Sequence, residues 1–316
     1  MGQGRWLVAA AIGLALLAGC GGSNGSGPQR ATLLLDFTPN AVHAGIFTAV
    51  ARGYDRDAGV RLRVREPSSS ADATKLLVAG RTDFAVLDIH DLGLAREKGA
   101  DLVGVFALVQ RPLASVIAQP GVPTPRALEG RPVGVTGVPS DDAVLRSIVR
   151  GAGGDPGRVR TTTIGFNAVP ALLGRRVEGA TAFWNAEGVA LRRRRPGFRV
   201  FRVNDYGAPA YPELVLTVTR KTLRERRDLV DRTTRALRRG YEATQADPAA
   251  SVDDLVKGSP GLDRSLTAAE LRAVRPAFGD PPGGLDPARL RAWAAWDVRF
   301  GILKLAPDVT QAFVLS

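Results

Sequence analysis

Soft metal ligands and cross-links are almost missing from this chain. Its 316 residues hold one cysteine, Cys20, one methionine, and two histidines, His43 and His90. A disulfide within one chain is therefore excluded, and the chain lacks the ligand set that holds a structural zinc. Long apolar runs are scarce too. The one from Trp6 to Leu17 falls short of the roughly 20 residues a spanning helix needs. No paired nucleophile and base, phosphate loop or HExxH pattern is present, and no cofactor is expected. Acidic residues are outnumbered, 31 against 43 Lys and Arg, for a net charge of +12. Such an excess raises nucleic-acid binding as a question. The arginines are scattered, however, or stand in short runs such as Arg192-Arg193-Arg194-Arg195 ahead of Pro196, with no zinc-finger or RNA-binding signature. A solvated basic surface attracted to anionic lipid or wall polymer is the expectation, with no nucleic-acid partner.

What is present begins with Cys20. Arg5 and the apolar run precede it, Leu17-Ala18-Gly19 leads directly into it, and Gly21-Gly22-Ser23-Asn24-Gly25-Ser26-Gly27 follows. A basic segment, an apolar segment, small residues at a cut and a flexible leader make up an export signal. With cysteine first after the cut, it looks like a bacterial lipoprotein signal. Residues 1–19 are expected to be the signal and 20–30 a tether. Cys20 would carry lipid, anchoring the protein to the outer face of the cell membrane.

From residue 31 strands and helices alternate. Strands are expected at 31–37, 62–66, 84–89, 102–109 and 113–118. Helices are expected at 42–58, at 70–79 with Ser70 as N-cap, and at 91–98. Pro120-Gly121-Val122-Pro123-Thr124-Pro125 interrupts the pattern and reads as a connection between lobes. The alternation then restarts, with strands at 133–136, 160–164, 180–184 and 198–203 and helices at 140–150, 168–173 and 187–193. A second connection runs through residues 207–212, followed by a strand at 214–219. Beyond it the chain reads as helical. Thr222 to Glu225 forms a capping box, and Leu223, Leu229, Val230, Leu237 and Tyr241 fall on one face of one long helix. Alternating elements in two runs predict two α/β lobes, 31–119 with 213–316 and 120–212, joined by a two-segment hinge. A ligand would sit between them, at strand ends and helix N-termini.

The most specific segment runs Leu35-Asp36-Phe37-Thr38-Pro39-Asn40-Ala41-Val42-His43-Ala44-Gly45-Ile46-Phe47 and on to Gly53-Tyr54. A strand ends in a polar-aromatic corner and a helix opens at once. The segment resembles the thiamine-pyrimidine group of extracytoplasmic solute-binding proteins, the NMT1/THI5-like family. The likeness continues through Gly80–Asp88, Gly134–Asp142, Asn167–Leu173, Phe183-Trp184-Asn185-Ala186-Glu187 and Glu213-Leu214-Val215, most of residues 31 to 220. Phe37 stands where many relatives carry Trp, which keeps a stacking face and loses the indole donor. The resemblance implies a type II periplasmic-binding-protein fold, an ABC permease and ATPase as partners, and a flat heterocyclic ligand held by a monomer. Thiamine-related aminopyrimidine comes first, with riboflavin, another solute or a secreted non-transport role as alternatives. Some members are synthases that consume a histidine near the position of His43, but they are cytosolic and rich in cysteine. An enzyme is therefore not expected, and His43 is read as a pocket hydrogen-bonder or a structural residue.

An aminopyrimidine offers two flat faces, a donating amine and accepting ring nitrogens. Phe37 and Trp184 would supply faces. Asp36, Asp88 or Glu187 would accept from the amine, and a protonated Glu187 would donate to the ring. Asn40 and Asn185 suit a mixed edge. Ser140, Asn167 and Tyr211 complete the candidate set. Each has a structural use as well: Trp184 and Phe37 as core, Asp36 and Asp88 as caps, Asn40 as a turn residue, Glu187 as a first-turn partner, Tyr211 as packing between lobes. Ser140-Asp141-Asp142 opens a helix with two carboxylates, which disfavours an anionic ligand there.

Overall fold

A computed structural model describes residues 27–69 and 71–316. The signal, Cys20 and the Ser70 cap lie outside the described residues. Among the described residues ten strands form two sheets. They are β1 Gln29–Leu34, β2 Val60–Arg65, β3 Phe84–Asp88, β4 Leu102–Ala107, β5 Ala114–Ala118, β6 Pro132–Val135, β7 Arg160–Thr163, β8 Gly179–Phe183, β9 Arg199–Arg202 and β10 Leu214–Thr219. In the first half the helices are α1 Ala44–Ala51, α2 Tyr54–Asp57, α3 Asp72–Val78, α4 Ile89–Glu97, α5 Pro139–Gly151, α6 Ala168–Leu173 and α7 Glu187–Arg194. The helical tail holds α8 Arg220–Glu225, α9 Arg227–Ala246, α10 Pro248–Gly258, α11 Arg264–Val274, α12 Pro287–Phe300 and α13 Val309–Ala312. Among the described residues no helix is long and apolar enough to cross a membrane.

The first sheet runs β2-β1-β3-β10-β4 and the second β7-β6-β8-β5-β9. Each is a parallel set into which one strand has been inserted antiparallel: β10 between β3 and β4, β5 between β8 and β9. Both inserted strands come directly after the chain has changed lobes. Two α/β lobes are thus present, as expected, but the first boundary moves. Since β5 pairs with β8 and β9, the chain leaves the first lobe between Ala107 and Ala114, and not at 120–125. Residues 120–125 form a loop within the second lobe; Gln119 N–H bonds Glu178 C=O at 2.9 Å. Two buried apolar strands in succession carry no mark of which sheet each joins, whereas proline and glycine density marks any loop. The second crossing runs between Tyr206 and Leu214.

Two helices break where unbroken ones were expected. Gly53 takes the left-handed conformation, φ 76°, and splits 42–58 into a short 3-10 turn, α1 and α2. In the tail, the N-cap is Thr219, whose hydroxyl accepts from Thr222 N–H at 3.0 Å, three residues before the expected cap. The chain then kinks at Arg226, and α9 starts afresh. Leu229, Val230, Leu237 and Tyr241 are buried on α9 as the spacing predicts.

Helix α9 packs against α1 with almost no gap. Gly240 faces the carbonyl of Gly45, and Tyr241 donates from its hydroxyl to Val42 C=O at 2.8 Å. A Cβ built on Gly240 would lie 2.1 Å from the Gly45 oxygen, which is backbone and cannot swing away. This contact fixes the corner from which Asp36, Phe37 and Asn40 project. We expect Gly240→Ala to cost about 1–3 kcal/mol by overpacking, read as a drop of several degrees in thermal denaturation; an unchanged midpoint would contradict the close packing.

Candidate ligand-binding site

A cleft lies between the lobes. From the first lobe it takes Asp36, Phe37 and Asn40 after β1, and Asp88 and Asp91 where β3 runs into α4. From the second lobe it takes Ser140 and Asp141 on α5, Phe166 in the turn before α6, Phe183 at the end of β8 and Glu187 opening α7. These are strand carboxyl ends and helix N-termini, the places where a layered α/β lobe leaves backbone groups unpaired.

Of the expected site residues, Asp36, Phe37, Asn40, Asp88, Ser140 and Glu187 line this cleft. Five do not. Trp184 is buried beneath it. Its indole N–H donates to Pro112 C=O at 3.0 Å, and the Arg202 guanidinium lies 4.2 Å over the ring, so it braces the first crossing. Tyr211 is wholly buried, its hydroxyl 3.0 Å from His90 Nε2. His43 is wholly buried behind Asp36. Its Nδ1 accepts from Asn40 N–H at 3.3 Å, which leaves the proton on Nε2 to donate to Asp36 at 2.9 Å. Asn167 turns outward, its amide donating to Ile164 C=O at 3.0 Å. Asn185 is fully buried, and neither side-chain atom has a hydrogen-bond partner among the described residues.

The expected pair of faces, Phe37 with Trp184, is therefore replaced by Phe37 with Phe166. Their centroids are 4.3 Å apart at an interplanar angle of 66°, edge to face, and they join the two lobes. No third ring fits between them at that separation, because an aromatic pair alone needs about 4.5–7 Å. Phe183 adds a further aromatic wall. Sequence reasoning passed over Phe166 in favour of its neighbour Asn167. The available signal was a lone aromatic in a Gly-Phe-Asn turn between strand and helix.

Five carboxyl groups face the space, and their surroundings differ. The Glu187 carboxylate accepts from Phe183 N–H at 3.1 Å. Burial, opposed by its backbone hydrogen bonds, pushes its pKa up to about 7. Burial likewise raises Asp91 to about 6, against the influence of nearby Ser140. Asp141 is raised by burial although Thr136 and Thr181 donate to it; its neighbour Asp142 pairs with Arg146 at the surface at 2.8 Å. Asp88 caps α4 by accepting from His90 N–H at 2.8 Å, and burial raises its pKa well above the usual range.

Behind Asp88 lies a buried polar knot. Glu213 is wholly buried, and its Oε2 accepts from Leu113 N–H at 2.7 Å and from Ala114 N–H at 3.2 Å. Burial also raises its pKa, and the side chain meets Asp88. Two buried carboxyls in contact share a proton. Burial alone would lower His90, but Asp297 and Asp88 together hold it up at about 10. Asp88, His90 and Glu213 place ligand atoms within 4.8 Å of one another. Both His90 nitrogens are already engaged, one by Asp297 and one by Tyr211, so the group is a structural knot and not a cation site.

Residues 40–251 match the family model described as NMT1/THI5 like. A formylaminopyrimidine-binding protein from Halalkalibacterium halodurans is 28% identical over 77% of this chain and 75% of its own. A 4-amino-5-hydroxymethyl-2-methylpyrimidine phosphate synthase from Legionella pneumophila is 25% identical over 79% and 80%. Among solved structures, the alkanesulfonate-binding protein SsuA from Xanthomonas axonopodis pv. citri, bound to MOPS, superposes with a TM-score of 0.73 at 17% identity over 92% of this chain and all of its own. That likeness speaks for the fold: the expected type II periplasmic-binding-protein architecture is the one present.

Because folding raises the Glu187 pKa above its ordinary 4.5, its contribution to stability is full below about pH 4.5 and is lost as pH rises through about 7. The loss amounts to roughly 3 kcal/mol. In thermal denaturation of the unliganded protein, Glu187→Gln should gain stability relative to the parent between pH 5 and pH 8. A difference that does not change with pH would contradict the burial of this carboxyl.

Proposed function

The chain belongs to the NMT1/THI5-like family, and on that premise we propose that it is the extracytoplasmic solute-binding component of an ABC importer, taking a thiamine-related aminopyrimidine. The observation that carries this reading is the interlobe cleft in which Phe37 and Phe166 offer aromatic surface and Glu187 offers a carboxyl able to carry its own proton. A protonated carboxyl donates through O–H and accepts through C=O. Those two functions complement a ring nitrogen beside an exocyclic amine. The ring would lie on the Phe37–Phe166 pair, since no space exists between them.

A receptor is favoured over a synthase by two features of this chain. His43 has both nitrogens engaged, by Asn40 and Asp36, and is shielded from the cleft. Cys20 is the sole cysteine, placed at the cut of an export signal. Lipid attached to Cys20 would tether the protein to the outer face of the membrane, and the basic surface would add attraction to anionic lipid.

Calorimetry with 4-amino-5-substituted-2-methylpyrimidines tests the ligand. Saturable binding is expected, and Glu187→Ala should weaken it at least about tenfold, equivalent to about 1.4 kcal/mol. No heat and no thermal shift across that class would retire the pyrimidine reading. For the anchor, labelling with a palmitate analogue should disappear in Cys20→Ala; label retained by that variant would refute lipidation at this residue.

A further inference from the structure

The pyrimidine reading uses the aromatic pair and Glu187 and leaves the rest of the cleft's charge without a task. Every charged residue lining it is acidic: Asp36, Asp88, Asp91, Asp141 and Glu187. Yet Lys and Arg outnumber Asp and Glu in the chain by 43 to 31. Such a lining in so basic a protein repels anions and concentrates cations.

All five carboxyls have a protein donor. Asp36 accepts from His43, Asp88 accepts from His90 N–H and meets Glu213, Asp141 accepts from Thr136 and Thr181, and Glu187 accepts from Phe183 N–H. Asp91 accepts from Ser140 and yet differs. Its Oδ1 is shielded from solvent and has no hydrogen-bond partner among the described residues. A buried acceptor left alone costs roughly 1–3 kcal/mol, more when charged, so it marks a place where a donor is missing. The hydroxyls that line the cleft are mostly spent in the opposite sense: Ser115 donates to Ala182 C=O, and Thr181 donates to Asp141. A ligand arm rich in acceptors would find few donors here. A primary ammonium brings three N–H donors and no acceptor.

We propose that the cleft is built for an aminopyrimidine bearing a primary ammonium arm, with Asp91 as the residue that selects for the charge. The inference rests on the pyrimidine reading and adds the chemistry of the substituent. The ammonium would donate to Asp91 Oδ1, with Ser140 of the facing lobe beside it. A neutral formamide or alcohol at the same ring position has one donor for Asp91 but no charge to attract it, and a phosphate is repelled.

Calorimetry of the purified protein at pH 7.5 with three ligands that differ only in the 5-arm decides the matter. The ligands are 4-amino-5-aminomethyl-2-methylpyrimidine, its N-formyl derivative and the hydroxymethyl counterpart. The aminomethyl compound should bind at least about tenfold more tightly than either neutral one. Asp91→Asn should remove most of that advantage by weakening the aminomethyl compound at least about fivefold more than the hydroxymethyl one, which a merely structural role would not do. Equal or tighter binding of a neutral compound overturns the proposal, as does equal weakening of all three by Asp91→Asn. The parent comparison decides alone if the variant does not fold. Binding of the neutral ligands in preference leaves the pyrimidine reading standing, whereas failure of all three overturns both.

Discussion

One buried carboxyl holds the two halves of this molecule in register. Glu213 sits in the second crossing and grips the amides of Leu113 and Ala114 in the first. Its own carbonyl accepts from Ile89 N–H at 2.9 Å, where β3 passes into α4. Thus both crossings and the start of α4 meet at one residue. A buried carboxyl survives there because backbone N–H groups and a shared proton offset its desolvation. Asp88 touches Glu213 on one side and the ligand cleft on the other. The cleft and the crossings are therefore contiguous, and their proton inventory is common to both.

The same knot explains why several conspicuous residues stand outside the cleft. Tyr211 and Trp184 flank the crossings and are consumed in fixing them: Tyr211 through His90 to Asp297 on α12, Trp184 through Pro112. A large aromatic with one polar atom suits that task as well as it suits stacking, and sequence cannot separate the two uses. His43 shows the same ambiguity resolved inward. Its two nitrogens fit Asn40 N–H and Asp36 so closely that it orients the corner that carries Phe37 without facing the ligand space.

Legibility followed periodicity. The alternation of strand and helix and the apolar face of α9 are direct consequences of side-chain spacing, and they could be read. So could the position of Asp36, Phe37, Asn40, Asp88, Ser140 and Glu187 along the cleft, since all stand near strand ends or helix openings. The first crossing could not. Pairing of β5 with β8 and β9 is non-local, and nothing in Ala114–Ala118 states which sheet it joins. Asp91 was hidden for a related reason. It reads as an ordinary first-turn acid on α4, favourable to the helix, and only the approach of α5 from the other lobe, which brings Ser140 onto its carboxylate, leaves Oδ1 shielded and without a partner.

The contrast between a basic exterior and an acidic cleft then has a physical logic. Like charges inside a cleft with low-dielectric walls cannot all be ionised at once, so the empty site keeps protons that a bulk-exposed carboxyl would lose. Burial raises Asp88, Asp91, Asp141 and Glu187 alike. A neutral ligand would have to accept that arrangement as it stands. A cation replaces a proton with a fixed charge of the same sign, and it gains the attraction that the proton had supplied. The lobes touch through Phe37 and Phe166, which face the same space as these carboxyls. The cation proposed above would thus lie against carboxyls that burial already disposes to hold a positive charge.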